Sequence, residues 1–190
     1  MDRLLTILPR RTTEAFPKEQ PMSSELERQG QQMGFLERAY KSSAHDADAL
    51  ILTCIDFRFP HKIVEYMDSL RPKGDPPITY DHVILAGASL GVFSGVFPQW
   101  ANTFWDHLAV SLKLHHIRQV YILDHQDCGG YREFGALPGT DEVPVGSEME
   151  CRVHQHYMDR LAYLIRSTHP NLEVITHLLE LPAGVKENRR

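Results

Sequence analysis

Short apolar runs separated by amphipathic stretches set the pattern of this chain. Ala49-Leu50-Ile51-Leu52-Thr53, His82-Val83-Ile84-Leu85 and Val120-Tyr121-Ile122-Leu123 are too short for helices and suit strands buried on both faces. Between them, Pro60 opens a helix carrying Ile63, Val64 and Met67, closed by Pro72-Lys73-Gly74. The stretch from Ala88 to Trp105, rich in Gly and aromatics, reads as a loop over a pocket leading into a helix. That helix turns Phe104, Trp105, Leu108, Ala109 and Leu112 inward. A long helix from about Glu148 to Thr168 buries Val153, Tyr157, Leu161, Leu164 and Ile165, and Leu172 to Leu181 forms a last, edge strand. Strands alternating with helices predict an α/β fold, a mainly parallel central sheet flanked by helices.

The start of the chain differs. Residues 1–22 contain Pro9, Pro17 and Pro21 and predict an extended arm without a core of its own. Ser23-Ser24 then offer an N-cap for a helix to about Ser42, with Leu26, Met33, Leu36 and Tyr40 at helical spacing. The expected organisation is that arm, followed by a single α/β domain over 23–190.

Bulk properties narrow the function classes. A formal charge of -5, without a run of basic residues, gives no reason to expect a nucleic-acid partner. No apolar stretch approaches the ~20 residues needed to span a bilayer, and Leu4 to Leu8 is too short for a signal-peptide core. Three cysteines do not make a disulfide framework, and reduced thiols point to the cytoplasm.

Two strand ends carry the chemistry. Cys54-Ile55-Asp56-Phe57-Arg58 follows the first strand, and His125-Gln126-Asp127-Cys128 follows the third. Two thiolates and an imidazole are three good zinc ligands, and a site with three protein ligands keeps its fourth position open for water or substrate. In open α/β sheets ligands gather at the carboxyl ends of the strands, where both fragments begin. If extended geometry persists past Cys54, then Cys54, Asp56 and Arg58 point to one side, with Arg58 holding the Asp56 carboxylate. A lone Cys at a strand end is ordinarily a small buried hydrophobe, so the weight rests on both fragments occurring together.

Cys-x-Asp-x-Arg followed by His-x-x-Cys-Gly on an α/β chain resembles the β-class carbonic anhydrases. The resemblance covers approximately residues 47–135 and implies that Cys54, His125 and Cys128 bind zinc, with Asp56 and Arg58 as the dyad beside it. It implies reversible hydration of carbon dioxide to bicarbonate by attack of zinc-bound hydroxide, with Gly87 near the substrate oxygen. In some members the aspartate closes the fourth zinc position until the arginine draws it away. The family is typically a homodimer or an assembly of dimers, with N-terminal helices wrapping the partner.

Two departures stand out. Phe57 lies where the family has a small residue, and Ile84-Leu85-Ala86-Gly87 replaces its Arg-Asn-Ala-Gly. A more apolar pocket follows, and with it a second candidate activity: hydrolysis of carbonyl sulfide or carbon disulfide. Val92, Phe93, Val96, Phe97, Trp100 and Trp105 either line such a pocket or belong to the core or a dimer interface. A non-catalytic zinc protein is the remaining alternative. Cys151-Arg152-Val153-His154 repeats a ligand spacing without further ligands nearby, and His115-His116 suit a helix end.

Overall fold

The computed structural model describes residues 45–185 apart from Lys73 and residues 139–141. The expected arm and first helix lie outside the described residues. The elements are β1 (Ala49–Thr53), α1 (Pro60–Ser69), β2 (Tyr80–Ile84), α2 (Ser89–Val92), α3 (Gln99–Leu114), β3 (Gln119–His125), α4 (Gly129–Glu133), α5 (Glu148–Thr168) and β4 (Glu173–Leu179).

Among the described residues all strand pairs are parallel, in the order β2-β1-β3-β4. Alternate residues of the two central strands serve opposite faces. Leu50, Leu52, Val120 and Ile122 pack with Phe104, Leu108, Met158, Leu161 and Ile165 from α3 and α5. Ala49, Ile51, Tyr121 and Leu123 pack with Phe59 and with Ile63 and Met67 of α1. Burying each of these larger side chains contributes about 1.5–3 kcal/mol.

The edge strands behave differently from the central pair. β4 is an edge as the sequence suggests, but so is β2, which is mostly uncovered: Val83 is buried while Ile84 is 50% exposed. The expectation of a buried second strand fails there: among the described residues β2 has a strand neighbour on one side only, and Tyr80 to His82 are at most half-buried. Ala109 of α3 and Leu164 of α5 also face solvent, contrary to the expected inward faces.

Helix α5 is turned from the face that apolar periodicity selects. Its buried line is Glu150, His154, Met158, Leu161, Ala162 and Ile165, with Val153 and Tyr157 only half-buried. Ser147 caps it by accepting the Glu150 N–H at 3.3 Å. Two of the buried positions are polar, and their partners lie beside the strand ends.

The strand order explains where those ends lead. The chain leaves β1 toward β2 on one side and then returns across β1 to place β3 on the other. The topological switch point therefore falls between the carboxyl ends of β1 and β3, where an open α/β sheet offers a crevice.

Candidate metal centre

Cys54 follows β1 directly, His125 is the last residue of β3, and Cys128 closes the turn after it. One ligand atom from each lies within 4.8 Å of the others, and all three residues are buried. The two Sγ atoms are 3.8 Å apart. Two thiolates each roughly 2.3 Å from a tetrahedral zinc stand about 3.8 Å from one another, so the spacing fits that ion.

His125 is set for ligation by its other nitrogen. Nδ1 lies 2.8 Å from the Gln126 carbonyl oxygen, which can only accept, so Nδ1 carries the proton. In the neutral ring Nε2 then keeps its lone pair, buried and without a hydrogen-bond partner among the described residues. Phe59 packs on the imidazole at 4.0 Å between ring centroids and fixes its plane.

The thiols divide one proton unequally. The hydrogen bond from Cys128 outweighs burial and, with neighbouring His125, brings Cys54 down to about 4. That same interaction, joined by burial, pushes Cys128 well above the usual thiol range. Burial pulls His125 down, yet the Cys54 thiolate beside it raises it overall. A buried anion next to soft donors is what a divalent cation neutralises.

Asp56 and Arg58 meet beside this cluster, though not by strand alternation. Strand pairing ends at Thr53 and residues 57–58 form a turn, so strand geometry does not carry through to Arg58. The Asp56 carboxylate instead accepts the Arg58 backbone N–H at 3.0 Å, a turn that brings the guanidinium back over it. Arg58 Nε and Nη2 then grip Asp56 Oδ1 and Oδ2 at 2.9 and 2.6 Å. Burial pushes the Asp56 carboxyl up, but these bonds outweigh it and hold it below the usual range. Asp56 Oδ2 stands 3.9 Å from His125 Nε2.

Gly87 occupies a backbone position at the cluster. Its N–H donates to Cys54 Sγ at 3.3 Å, and its φ of +78° is one a side chain would resist. Ala88, next to it, is held at φ 42°, ψ −106°, strain of about 1–3 kcal/mol. Asp124 secures that turn: its carboxylate accepts from Ser89 N at 3.1 Å, Ser89 Oγ at 2.8 Å and Tyr131 Oη at 2.5 Å. His154 Nδ1 lies 3.0 Å from the same carboxylate. Gly130 lets the two turns touch, since a Cβ there would lie 2.8 Å from Gly87 N.

Several of these residues escaped sequence reasoning: Asp124, Asp127, Glu150, Ser89, Tyr131 and the structural use of His154. His154 is separate from Cys151, whose nearest polar partner is the Gly146 carbonyl. Among the described residues no second group of metal-ligating side chains forms. His115 and His116 pair with Asp81 and Asp46, each at 2.7 Å. Of the aromatic stretch, Val92 is buried and Phe93, Trp100 and Trp105 pack against the core, while Val96 and Phe97 are exposed.

No helix among the described residues is long and apolar enough to cross a membrane. No family model matches the chain. Curated relatives include an uncharacterized protein of Rickettsia bellii, 27% identical over 152 residues, covering 80% of this chain and 88% of the relative. An uncharacterized protein of Rickettsia conorii is 29% identical over 143 residues, covering 75% and 73%. A solved structure described as the apo form of carbon disulfide hydrolase aligns over 83% of this chain and 84% of its own, at 15% identity and a TM-score of 0.33. Likeness at that level carries no chemistry across. The chain is thus an all-parallel α/β protein whose buried Cys54-His125-Cys128 cluster is suited to a metal ion.

Proposed function

We propose that this protein is a zinc enzyme of the β-class carbonic anhydrase type, catalysing reversible hydration of carbon dioxide to bicarbonate. One observation carries the reading: a buried imidazole lone pair and two sulfurs at tetrahedral spacing, at the switch point of a parallel sheet. Cys54, His125 and Cys128 would hold zinc, which supplies the Lewis acidity that makes a water nucleophilic near neutral pH.

The chain's own groups supply the rest. Asp56 Oδ2 borders the His125 Nε2 side of the cluster and can accept a hydrogen bond from the attacking water, directing its lone pair at the substrate carbon. Arg58 keeps that carboxylate ionised, so Asp56 accepts rather than donates. Water adds to carbon, one carbon–oxygen double bond becomes single, and a proton leaves to solvent. Gly87, whose N–H already serves Cys54, is assigned a position near the substrate oxygen on family resemblance. A cytoplasmic homodimer would be the working form.

A second substrate class has an observation of its own. Ile55 is 65%, Phe57 88% and Ile84 50% exposed, all within a few residues of Cys54 or the Gly87 turn. Exposed apolar side chains so close in sequence to the cluster would favour linear apolar relatives of carbon dioxide, carbonyl sulfide and carbon disulfide. Stopped-flow hydration by zinc-loaded protein, with Cys54→Ser as control, tests the main reading. Hydration that is fast and lost in the variant supports it; sulfide release without hydration moves the assignment to the second class. A zinc-loaded protein inert toward all three substrates leaves a binding role.

A further inference from the structure

Among the described residues Arg58 serves two carboxylates. Nε and Nη2 hold Asp56, while Nη1 donates to Asp127 Oδ2 at 2.7 Å and Nη2 to the Asp127 carbonyl at 2.9 Å. The two acids differ in burial. Asp127 is fully buried, sits at φ 57° in the turn between the ligands His125 and Cys128, and gives its N–H to Glu150 Oε1 at 2.7 Å. Glu150, itself buried on α5, also takes the Gly146 N–H at 2.6 Å. Asp56 lies in the irregular segment after β1 with a side chain 14% exposed. Asp127 is the more enclosed partner and engages the guanidinium through its carboxylate and its backbone carbonyl together.

We propose that Asp127 is a positioning residue that anchors Arg58, so that Arg58 retains Asp56 beside the metal position instead of letting it become the fourth ligand. The inference rests on the metal reading above and on no particular substrate. With Asp56 Oδ2 only 3.9 Å from His125 Nε2, a small swing of the carboxylate closes the open position. Asp127 thereby sets how much of the protein has that position available.

The test uses cobalt(II)-substituted protein, whose visible spectrum reports azide entering the open position. Asp127→Asn keeps the shape and removes the charge, and azide affinity is expected to fall at least tenfold. Adding Asp56→Asn to it should restore parental azide affinity, which general damage to the site would not allow. Should Asp127→Asn fail to accumulate folded, Asp127→Glu keeps the charge but displaces it by one methylene, and the same weakening and rescue are expected. Unchanged azide affinity in the folded variant, or no rescue in the double variant, overturns the proposal. Failure of the parent to take up cobalt overturns it together with the metal reading. Azide binding with the predicted coupling but no carbon dioxide hydration supports it and sinks only the proposed activity.

Discussion

Replacing Gly130 by Ala tests whether the metal site depends on two turns in backbone contact. The added Cβ would lie 2.8 Å from Gly87 N and 3.0 Å from Gly87 Cα, where normal contact is roughly 3.5 Å. Both neighbours are main-chain atoms of the Gly87-Ala88 turn, so no side chain can swing aside. Two effects oppose. Ala is favoured over Gly in a helix by about 1 kcal/mol, and Gly130 lies in α4. Overpacking costs about 1–3 kcal/mol. Displacing Gly87 also weakens its hydrogen bond to the Cys54 thiolate, and a bond to a charged group contributes about 1.5–3 kcal/mol. The expected net loss is about 1–4 kcal/mol, read by urea denaturation of metal-free protein. Zinc affinity, read by competition with a chromophoric chelator, should fall at least tenfold. Gly95→Ala is the control, since among the described residues no atom beyond its chain neighbours lies within 4 Å of its Cβ position; it should stay within about 0.5 kcal/mol of the parent. A Gly130→Ala protein as stable as the parent and equally avid for zinc would refute the argument.

Other outcomes follow from the same geometry. In metal-free protein, thiolate absorbance equivalent to one cysteine should persist well below pH 7, because Cys54 is lowered to about 4 while Cys128 is raised. The sign is fixed: the absorbance is present above that pKa, is lost as pH falls through it, and is missing in Cys54→Ser. Thiolate appearing only above pH 8 would contradict the paired-thiol description. Glu150→Ala leaves the Asp127 and Gly146 N–H groups without their acceptor. Only the Asp127 donor is buried, while Gly146 is exposed; at about 1–3 kcal/mol for an orphaned buried donor, denaturation should show a loss of about 1–3 kcal/mol, and a loss below ~0.5 kcal/mol, the range of neutral surface changes, would refute the clamp.

How much of this was legible in the sequence depended on how each residue is surrounded. β1 and β3 read clearly because both of their faces are buried, which demands unbroken apolar runs. β2 reads poorly because an edge strand buries little, so its apolar Ile84 says nothing of its position. The three ligands were visible because soft donors at two strand ends have a distinctive pattern. Asp56 and Arg58 were found for an imperfect reason: a turn, not strand alternation, joins them. The face of α5 was misread because Glu150 and His154 occupy core positions, and apolar periodicity discounts them. Asp127 stood in plain view inside His-x-x-Cys, where it passed for a spacer. Its signal was an acid in a turn between two ligands, on a chain that also places an arginine near the first.

X-ray absorption at the zinc edge of protein purified without added chelator tests the central claim most directly. The account predicts one zinc per chain, with two sulfur neighbours and at least one imidazole nitrogen, and loss of both sulfur signal and metal in the Cys54→Ser, Cys128→Ser double variant. Protein that carries no zinc after loading, or zinc with only nitrogen and oxygen neighbours, would contradict it.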